Sequence, residues 1–394
     1  MDRKLYLTTP QMKAEIEKCL QCPDKPCQKA CPVSCSPHEF IAQAKTGDFE
    51  AAVNTICINN PMGQTCGLIC PENFCMQACL RQYIDHPIHI PRLQATILKK
   101  YRKKQQRPKI ETRGQSVAIM GAGPAGLAAA EKLSALGVEV TVFEKTKKIG
   151  GALNLIPSSR LPFEAIEKDG QYILSSELVK IFYGMTIVSP QVLLCNFDAV
   201  IVATGEPHCQ SLNIEGEELV IPYMTYLENP SHYVSQDKVA VIGGGRVAID
   251  CALTAKRQGA SEVDMFVRRR LSDMRISSAE HLELIDNGID VTTMTSPQRV
   301  EEKDGLLYLY TEHNQFKNGK LVPQDCSQII RGGYAYIIKA IGSHADKFAE
   351  DERIFYAGDC KNGGSTIVEA IASGQQTAQK VYDFLFEDEN NASV

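Results

Sequence analysis

Ten of the chain's fifteen cysteines lie between Cys19 and Cys79, and eight of these fall into two spaced sets. The first reads Cys19-x2-Cys22-x4-Cys27-x3-Cys31-Pro32, and the second Cys66-x3-Cys70-Pro71-x3-Cys75-x3-Cys79. Gaps this short let a loop wrap three thiolates around one face of an iron–sulfur cubane. The proline after the last cysteine of the first set turns the chain away from the metal. The bacterial ferredoxin run differs from that set only in its second gap, and its fourth cysteine serves the other cluster. By the same reciprocity, Cys19, Cys22 and Cys27 share one 4Fe-4S cluster with Cys79. Cys31 then joins Cys70 and Cys75 on a second cluster that still lacks a ligand, for which spacing alone offers Cys66.

Other uses of these thiols fit less well. Structural zinc favours paired C-x2-C knuckles, and only one such gap occurs in the two sets. Disulfides belong to oxidising compartments, whereas MDRKLYLTTPQMKAEIEKC has no apolar core or cleavage site of a secretory leader. Reduced thiols and a cytoplasmic location are therefore expected. The 394 residues suggest two to four domains. Composition is ordinary at 44% hydrophobic and 23% charged, with a net charge of −5, which disfavours nucleic-acid binding. No apolar run approaches the ~18 residues that would span a bilayer.

The cysteines need elements to hold them. Thr9-Pro10 reads as the opening of a short helix leading to Cys19. Ser36-Pro37-His38-Glu39 reads as a capping box, followed by Phe40, Ile41, Ala44, Phe49, Ala52, Val53 and Ile56 at helical spacing. Residues 1–107 are thus expected to be a small helical domain packed around metal, too short to build an adequate core alone. Cys35 and Cys57 fall outside both sets and read as plain buried thiols. Lys99 to Arg113 carries eight basic residues against one acid. It reads as a solvated linker, with a docking strip for an acidic partner or cofactor phosphates as the functional alternative.

Two further units bind nucleotides on this reading. Strand SVAIM runs into Gly121-Ala122-Gly123-Pro124-Ala125-Gly126, then a helix, then strand VEVTVF closing at Glu144 with Lys145 beside it. Glycines in such a turn allow close approach to a pyrophosphate, the helix N-terminus adds a positive dipole, and an acid 23 residues after Gly121 suits a ribose diol. Gly151, Arg160 and Leu161 of the I-P-S-S-R-L-P stretch, and Ala203-Thr204-Gly205 after the next strand, are expected along the same cofactor. The pattern repeats at Lys238: strand KVAVI, then Gly243-Gly244-Gly245-Arg246-Val247-Ala248, a helix, and a strand ending in Arg268-Arg269-Arg270. The arginines favour NADPH over NADH there, through a 2′-phosphate. Ala340-Ile341-Gly342 echoes Ala203-Thr204-Gly205, and Gly358-Asp359 precedes Ser365-Thr366 and a last helix. The expected limits are 114–230 and 343–390 for the two parts of an FAD domain and 231–342 for an NAD(P)H domain. The acidic tail EDENNASV reads as frayed.

These parts answer one chemical problem. NAD(P)H gives two electrons at once, iron–sulfur clusters carry one, and a flavin does both. No side-chain nucleophile is required, and the eight histidines are scattered. The helix start at Thr366 is expected to aim backbone N–H groups at the N1 and O2 side of a reduced flavin.

The order of these motifs resembles the reductase half of the dihydropyrimidine dehydrogenases over nearly the whole chain, and most of all the separate flavin subunit of the bacterial NAD-dependent enzymes. Glutamate synthase small subunits and the large subunit of bifurcating NADH-dependent ferredoxin:NADP oxidoreductases are similar too. The resemblance implies an α/β protein with a glutathione-reductase-like arrangement, the NAD(P)H domain inserted in the FAD domain, behind an all-α head with two 4Fe-4S clusters. It also implies that a glutamine completes the second cluster, which maps onto Gln94 in Pro91-Arg92-Leu93-Gln94. The chain departs from the family at Ser159, where an aromatic residue is usual, and before Leu93, where the family glycine is replaced. It has no segment for the FMN barrel in which fused enzymes reduce pyrimidines. An electron-input subunit of a hetero-oligomer is therefore expected. Its acceptor is a separate FMN-barrel flavoprotein, with glutamate synthase's large subunit or a ferredoxin as alternatives. From another class, a redox sensor or assembly scaffold would bind the cofactors without turnover.

Overall fold

A computed structural model describes residues 5–103, 107–274, 276–324 and 327–387. The middle of the basic linker and nearly all of the acidic tail lie outside them. The described chain divides into two compact units: residues up to Asn154, Ser158–Pro207 and Ala345 onward form one, and Leu155–Pro157 with His208–His344 the other. The second unit is inserted in the sequence of the first.

The first unit begins with six helices: α1 (Thr9–Glu17), α2 (Pro26–Lys29), α3 (Pro37–Lys45), α4 (Phe49–Asn59), α5 (Gly63–Ile69) and α6 (Ile90–Tyr101). Helix α1 is capped one residue earlier than the sequence suggested. Thr8 and Gln11 bond reciprocally, with Thr8 N donating to Gln11 Oε1 at 2.9 Å and Gln11 N to Thr8 Oγ1 at 3.4 Å. The capping box expected at Ser36 does not form. Ser36 does precede α3, but its side chain makes no capping hydrogen bond there, whereas Asp48 accepts from Ala51 N at 2.9 Å at the start of α4. Phe40, Ile41, Ala52, Val53, Ile56, Leu93, Ile97 and Leu98 are buried together as the core of this head. Two glycines bring α5 against α4 and α6. A Cβ on Gly63 would fall 2.7 Å from Ile56 Cγ2, and one on Gly67 would fall 2.5 Å from the Pro91 carbonyl oxygen.

The rest of this unit is a five-stranded parallel sheet. Its strands are β1 (Ser116–Met120), β2 (Glu139–Glu144), β3 (Val179–Tyr183), β4 (Ala199–Val202) and Ile354–Tyr356, in the order Ile354–Tyr356, β4, β1, β2, β3. Helices α7 (Pro124–Ala135), α8 (Phe163–Ile173) and Ile367–Leu385 cover it. Strands β1 and β4 are buried almost throughout, as parallel strands with covered faces must be. Gly374 lets the last helix cross α7, since a Cβ there would sit 2.1 Å from the Ala125 carbonyl oxygen.

The basic linker is not simply solvated. Arg102 donates to Asp169 Oδ1 at 2.6 Å, and the two side chains are 5% and 0% exposed. Asp169, on α8, also accepts the Gln64 and Thr65 N–H groups at the start of α5. Arg107 is buried against Glu131 at 3.0 Å and Ser134 at 2.7 Å. A guanidinium tolerates burial when its fork is matched by carboxylate and hydroxyl oxygens. Both arginines therefore fasten the helical head and linker to the sheet domain.

The inserted unit carries an eight-stranded sheet with a parallel half and an antiparallel half. Ile329–Lys339, Lys238–Ile242, Val263–Val267 and Ile289–Thr293 run parallel, while Leu306–Lys317 and Thr295–Lys303 extend the sheet antiparallel beyond Ile329–Lys339. The antiparallel hairpins turn at Asp304-Gly305 and Asn318-Gly319, all with φ between 52° and 76°. The unit starts well before residue 231 because Ile221–Pro222 pairs with Ile338 and Lys339, and the Tyr223–Glu228 helix contributes Tyr223, Tyr226 and Leu227 to its core. Among the described residues, no helix is long and apolar enough to cross a membrane.

Candidate functional site

The first thiol group forms where α1 ends. Left-handed backbone at Gln21 (φ 51°) and Lys25 (φ 47°) curls the loop that carries Cys19 and Cys22 toward Cys27 on α2. Cys79, just before a short turn at Leu80–Tyr83, closes the ring. These four thiols line one hollow, together with Leu20, Pro26, Ile41, Leu80 and others. Burial pushes the Cys27 thiol up to about 11, and the neighbouring Cys19 and Cys79 push it further in the same direction. Cys19 is raised by burial and by Cys79 and Cys22. A polycationic centre bound among these thiols would take up their charge as they release their protons. Among the described residues, no three His, Cys, Asp or Glu side chains are arranged to clasp a single metal ion. The donor set fits a 4Fe-4S cluster.

The second group is more crowded. Cys31 and Cys75 are raised first by burial, with Cys66 adding to the rise, and Cys70 is raised first by its hydrogen bond with Cys66 and then by burial. Cys35 joins them, its thiol raised by burial and by Cys31, Cys66 and Cys75. Gln94 comes in from α6. Its Nε2 donates to the Gly63 carbonyl at 2.7 Å, and its Oε1 accepts from the Cys35 thiol at 3.4 Å. The structure thus gathers Cys31, Cys70 and Cys75 with both proposed completing groups, Cys66 and Gln94. It adds Cys35, which the spacing gave no reason to include.

The first glycine turn follows β1. Gly121 has φ 103°, and a Cβ on it would strike the Ala203 carbonyl oxygen at 2.6 Å; a Cβ on Gly126 would lie 2.0 Å from the Gly121 carbonyl oxygen. A Cβ on Gly123 would meet nothing within 4 Å, and no side chain caps α7 there, which leaves the helix start for an anion. Glu144 is buried. Its carboxylate accepts from Ala122 N, Thr146 N and Thr146 Oγ1, each at 2.8 Å, and so stiffens the turn. Lys145 is exposed beside it.

Around this turn, Gly151 backs onto Gly123, Leu161 is buried, Arg160 is half-buried, and Gly205 has φ 66°. The Thr204 hydroxyl oxygen is buried without a hydrogen-bond partner among the described residues, the kind of orphan a bound cofactor would satisfy. Gly358 donates to Ser373 Oγ at 2.9 Å. Asp359 accepts from Ser365 Oγ at 2.5 Å, and burial raises its carboxyl above the usual range, with Glu206 and Glu369 adding to the rise. Thr366 caps the last helix, but its own N–H is taken by Glu369 Oε2 at 2.9 Å. The donors left for a ligand belong to the turn after it. These residues fit FAD.

The turn in the inserted unit repeats the design. Gly243 has φ 145°, with a Cβ position 2.2 Å from the Ala340 carbonyl oxygen, while Gly245 opens onto space. The two echoing tripeptides thus do one job: the first alanine of each lays its carbonyl against the first glycine of a turn. Ala248 stands where Gly126 stands in the first turn. Arg246 pairs with Glu280 at 3.3 Å, and Val247 is exposed. Arg268 and Arg269 are exposed at the strand end, Arg270 stacks on Phe316 at 4.3 Å, and Gly342 has φ 109°.

Two glycine turns on separate sheets, one inserted into the other, behind a thiol-rich helical head, define an NAD(P)H-dependent iron–sulfur oxidoreductase of the FAD type. Comparison with known proteins agrees. The profile of the pyridine nucleotide-disulphide oxidoreductases matches residues 115–374, and that of dihydropyrimidine dehydrogenase domain II, 4Fe-4S cluster, matches residues 2–106. The chain belongs to this oxidoreductase family, in the branch that carries the dihydropyrimidine dehydrogenase iron–sulfur domain. It is 31% identical to the NAD-dependent dihydropyrimidine dehydrogenase subunit PreT homolog of Salmonella typhi, over 95% of this chain and 94% of that one. It is 28% identical to the NADP(+)-dependent formate dehydrogenase subunit beta of Moorella thermoacetica, over 94% of this chain and 61% of that one. Among solved structures, Mycobacterium tuberculosis FprA in complex with NADPH superimposes with a TM-score of 0.63 at 17% identity, over 71% of this chain and 86% of that one.

Proposed function

We propose that this chain is the electron-input subunit of a dihydropyrimidine dehydrogenase, passing electrons from NAD(P)H through FAD and two 4Fe-4S clusters to a separate pyrimidine-reducing flavoprotein subunit. The observation that carries this is the near end-to-end match to the PreT homolog, head and both nucleotide units included. When bound, FAD supplies the exchange between paired and single electrons.

The chain's residues do the positioning. Gly121, Gly123, Ala125 and Gly126 cradle the FAD pyrophosphate at the start of α7, and Glu144 holds that turn rigid from beneath. Asp359 and the helix after Thr366 present acceptor and donor groups to the rest of the cofactor. Gly243, Gly245 and Arg246 receive the nicotinamide coenzyme. Arg268 and Arg269 favour NADPH by taking its 2′-phosphate, a preference that the name of the PreT homolog does not share. Cys19, Cys22, Cys27 and Cys79 hold one cluster; Cys31, Cys70, Cys75 and Gln94 hold the other, its neutral amide leaving one negative charge fewer on the site.

Anaerobic affinity purification tests the assignment. The expected preparation carries about eight irons and one FAD per chain, is bleached by NAD(P)H, and brings down a flavoprotein that reduces uracil or thymine when NAD(P)H is supplied. Four irons per chain would overturn the two-cluster assignment. Reduction of a ferredoxin, with no co-purifying flavoprotein, would overturn the pyrimidine partner.

A further inference from the structure

We propose that Cys35 is a positioning residue for the second cluster: its buried thiol donates to the amide oxygen of Gln94 and thereby orients and polarises the cluster's one neutral ligand. The proposal rests on Gln94 being that ligand.

The argument starts from the two ends of one side chain. Cys35 is 2% exposed and Gln94 5%, so neither group has solvent to turn to. An amide has a donor end and an acceptor end, and burial makes each seek a partner. Gln94 Nε2 has the Gly63 carbonyl at 2.7 Å, and Oε1 has the Cys35 thiol at 3.4 Å. Flipping the amide would set two acceptor oxygens against each other at Gly63. The oxygen is therefore held toward the side where Cys31, Cys66 and Cys75 surround Cys35.

A carbonyl-type oxygen has two lone-pair sites. With one accepting S–H, the other remains for iron. A donor on a ligating oxygen withdraws electron density from the metal, and hydrogen bonds to ligands are one means by which proteins set cluster potentials. Removing the thiol should make the second cluster harder to reduce.

The test uses the full chain, isolated anaerobically with its cofactors, in four forms: wild type, Cys35→Ala, Cys35→Ser and Gln94→Ala. Iron content, the EPR spectra of the reduced clusters and a redox titration are read for each. Expected for Cys35→Ala is wild-type iron, an altered EPR signature and a more negative midpoint for one cluster only. Cys35→Ser, which restores a donor in place, returns both toward wild type. Loss of one cluster's iron in Cys35→Ala would overturn the proposal by making Cys35 a ligand. Unchanged spectra and midpoints in Cys35→Ala, beside an altered Gln94→Ala, would overturn it while leaving Gln94 as the ligand. A Gln94→Ala protein with wild-type iron and spectra would remove Gln94 from the cluster, and this proposal with it.

Discussion

The two glycine turns share a backbone plan and differ in everything attached to it. In each, the first glycine lies under an alanine carbonyl from a neighbouring strand end, and the last glycine of the Gly-x-Gly opens onto space. The first turn is then braced on all sides: Glu144 is buried beneath it, Gly358 abuts Ala125, and the last helix crosses at Gly374. The second ends in exposed arginines and admits Ala248 where the first demands Gly126. A turn that holds a resident cofactor is built into its surroundings, whereas a turn that exchanges its coenzyme is left accessible.

Breaking the bracing of the first unit should have the largest effect. Asp169→Ala leaves Arg102 buried without its carboxylate and the α5 amides uncapped, a change that should cost about 3–5 kcal/mol. A lower melting temperature with joint loss of iron and flavin is the expected result. Next, Gly126→Ala drives a methyl into the Gly121 carbonyl and should cost about 1–3 kcal/mol, with FAD lost on gel filtration. The mirror change, Ala248→Gly, should cost only about 0.5–1 kcal/mol through helix entropy and leave FAD in place.

Changes in the inserted unit's own binding groups should sharpen the contrast. Replacing Arg268 and Arg269 with alanine should raise KM for NADPH roughly tenfold, about 1.4 kcal/mol, without changing FAD content; an equal loss with NADH would remove the 2′-phosphate role. The smallest effect concerns pH. Burial raises the Asp359 carboxyl above its unfolded value, so the folded chain prefers it protonated. Its charge therefore destabilises the fold above the folded pKa, and the penalty fades as pH falls through that value and is gone below the unfolded one. Flavin-free Asp359→Asn should melt above wild type at pH 7, with the gap closing on acidification.

Much of the site was legible because its chemistry is local. Thiol spacing and glycine turns are fixed by a few consecutive residues, and the strand–turn–helix–strand order around Gly121 and Gly243 is found as read. What was missed depends on partners distant in sequence. Arg102 and Arg107 sit in a charge run that looks solvated, and their carboxylates lie 67 and 24 residues away. The Cys35 contact with Gln94 spans 59 residues. The antiparallel half of the inserted sheet is a different case. Asp304-Gly305 and Asn318-Gly319, flanked by apolar and β-branched residues, are local hairpin signals in the sequence itself. The Ser36 box failed although its residue types are right, because a sequence pattern does not set whether the hydroxyl and the first-turn amides meet.

The inserted unit begins and ends at nearly one point. His208 and His344 are directly paired on a two-stranded ribbon, with rings 5.3 Å apart, so the chain enters and leaves side by side. A segment whose ends meet is a cassette. Transplanting residues 208–344 from a relative is therefore expected to leave the rest of the fold in place, with both splice points falling on one rung of one ladder.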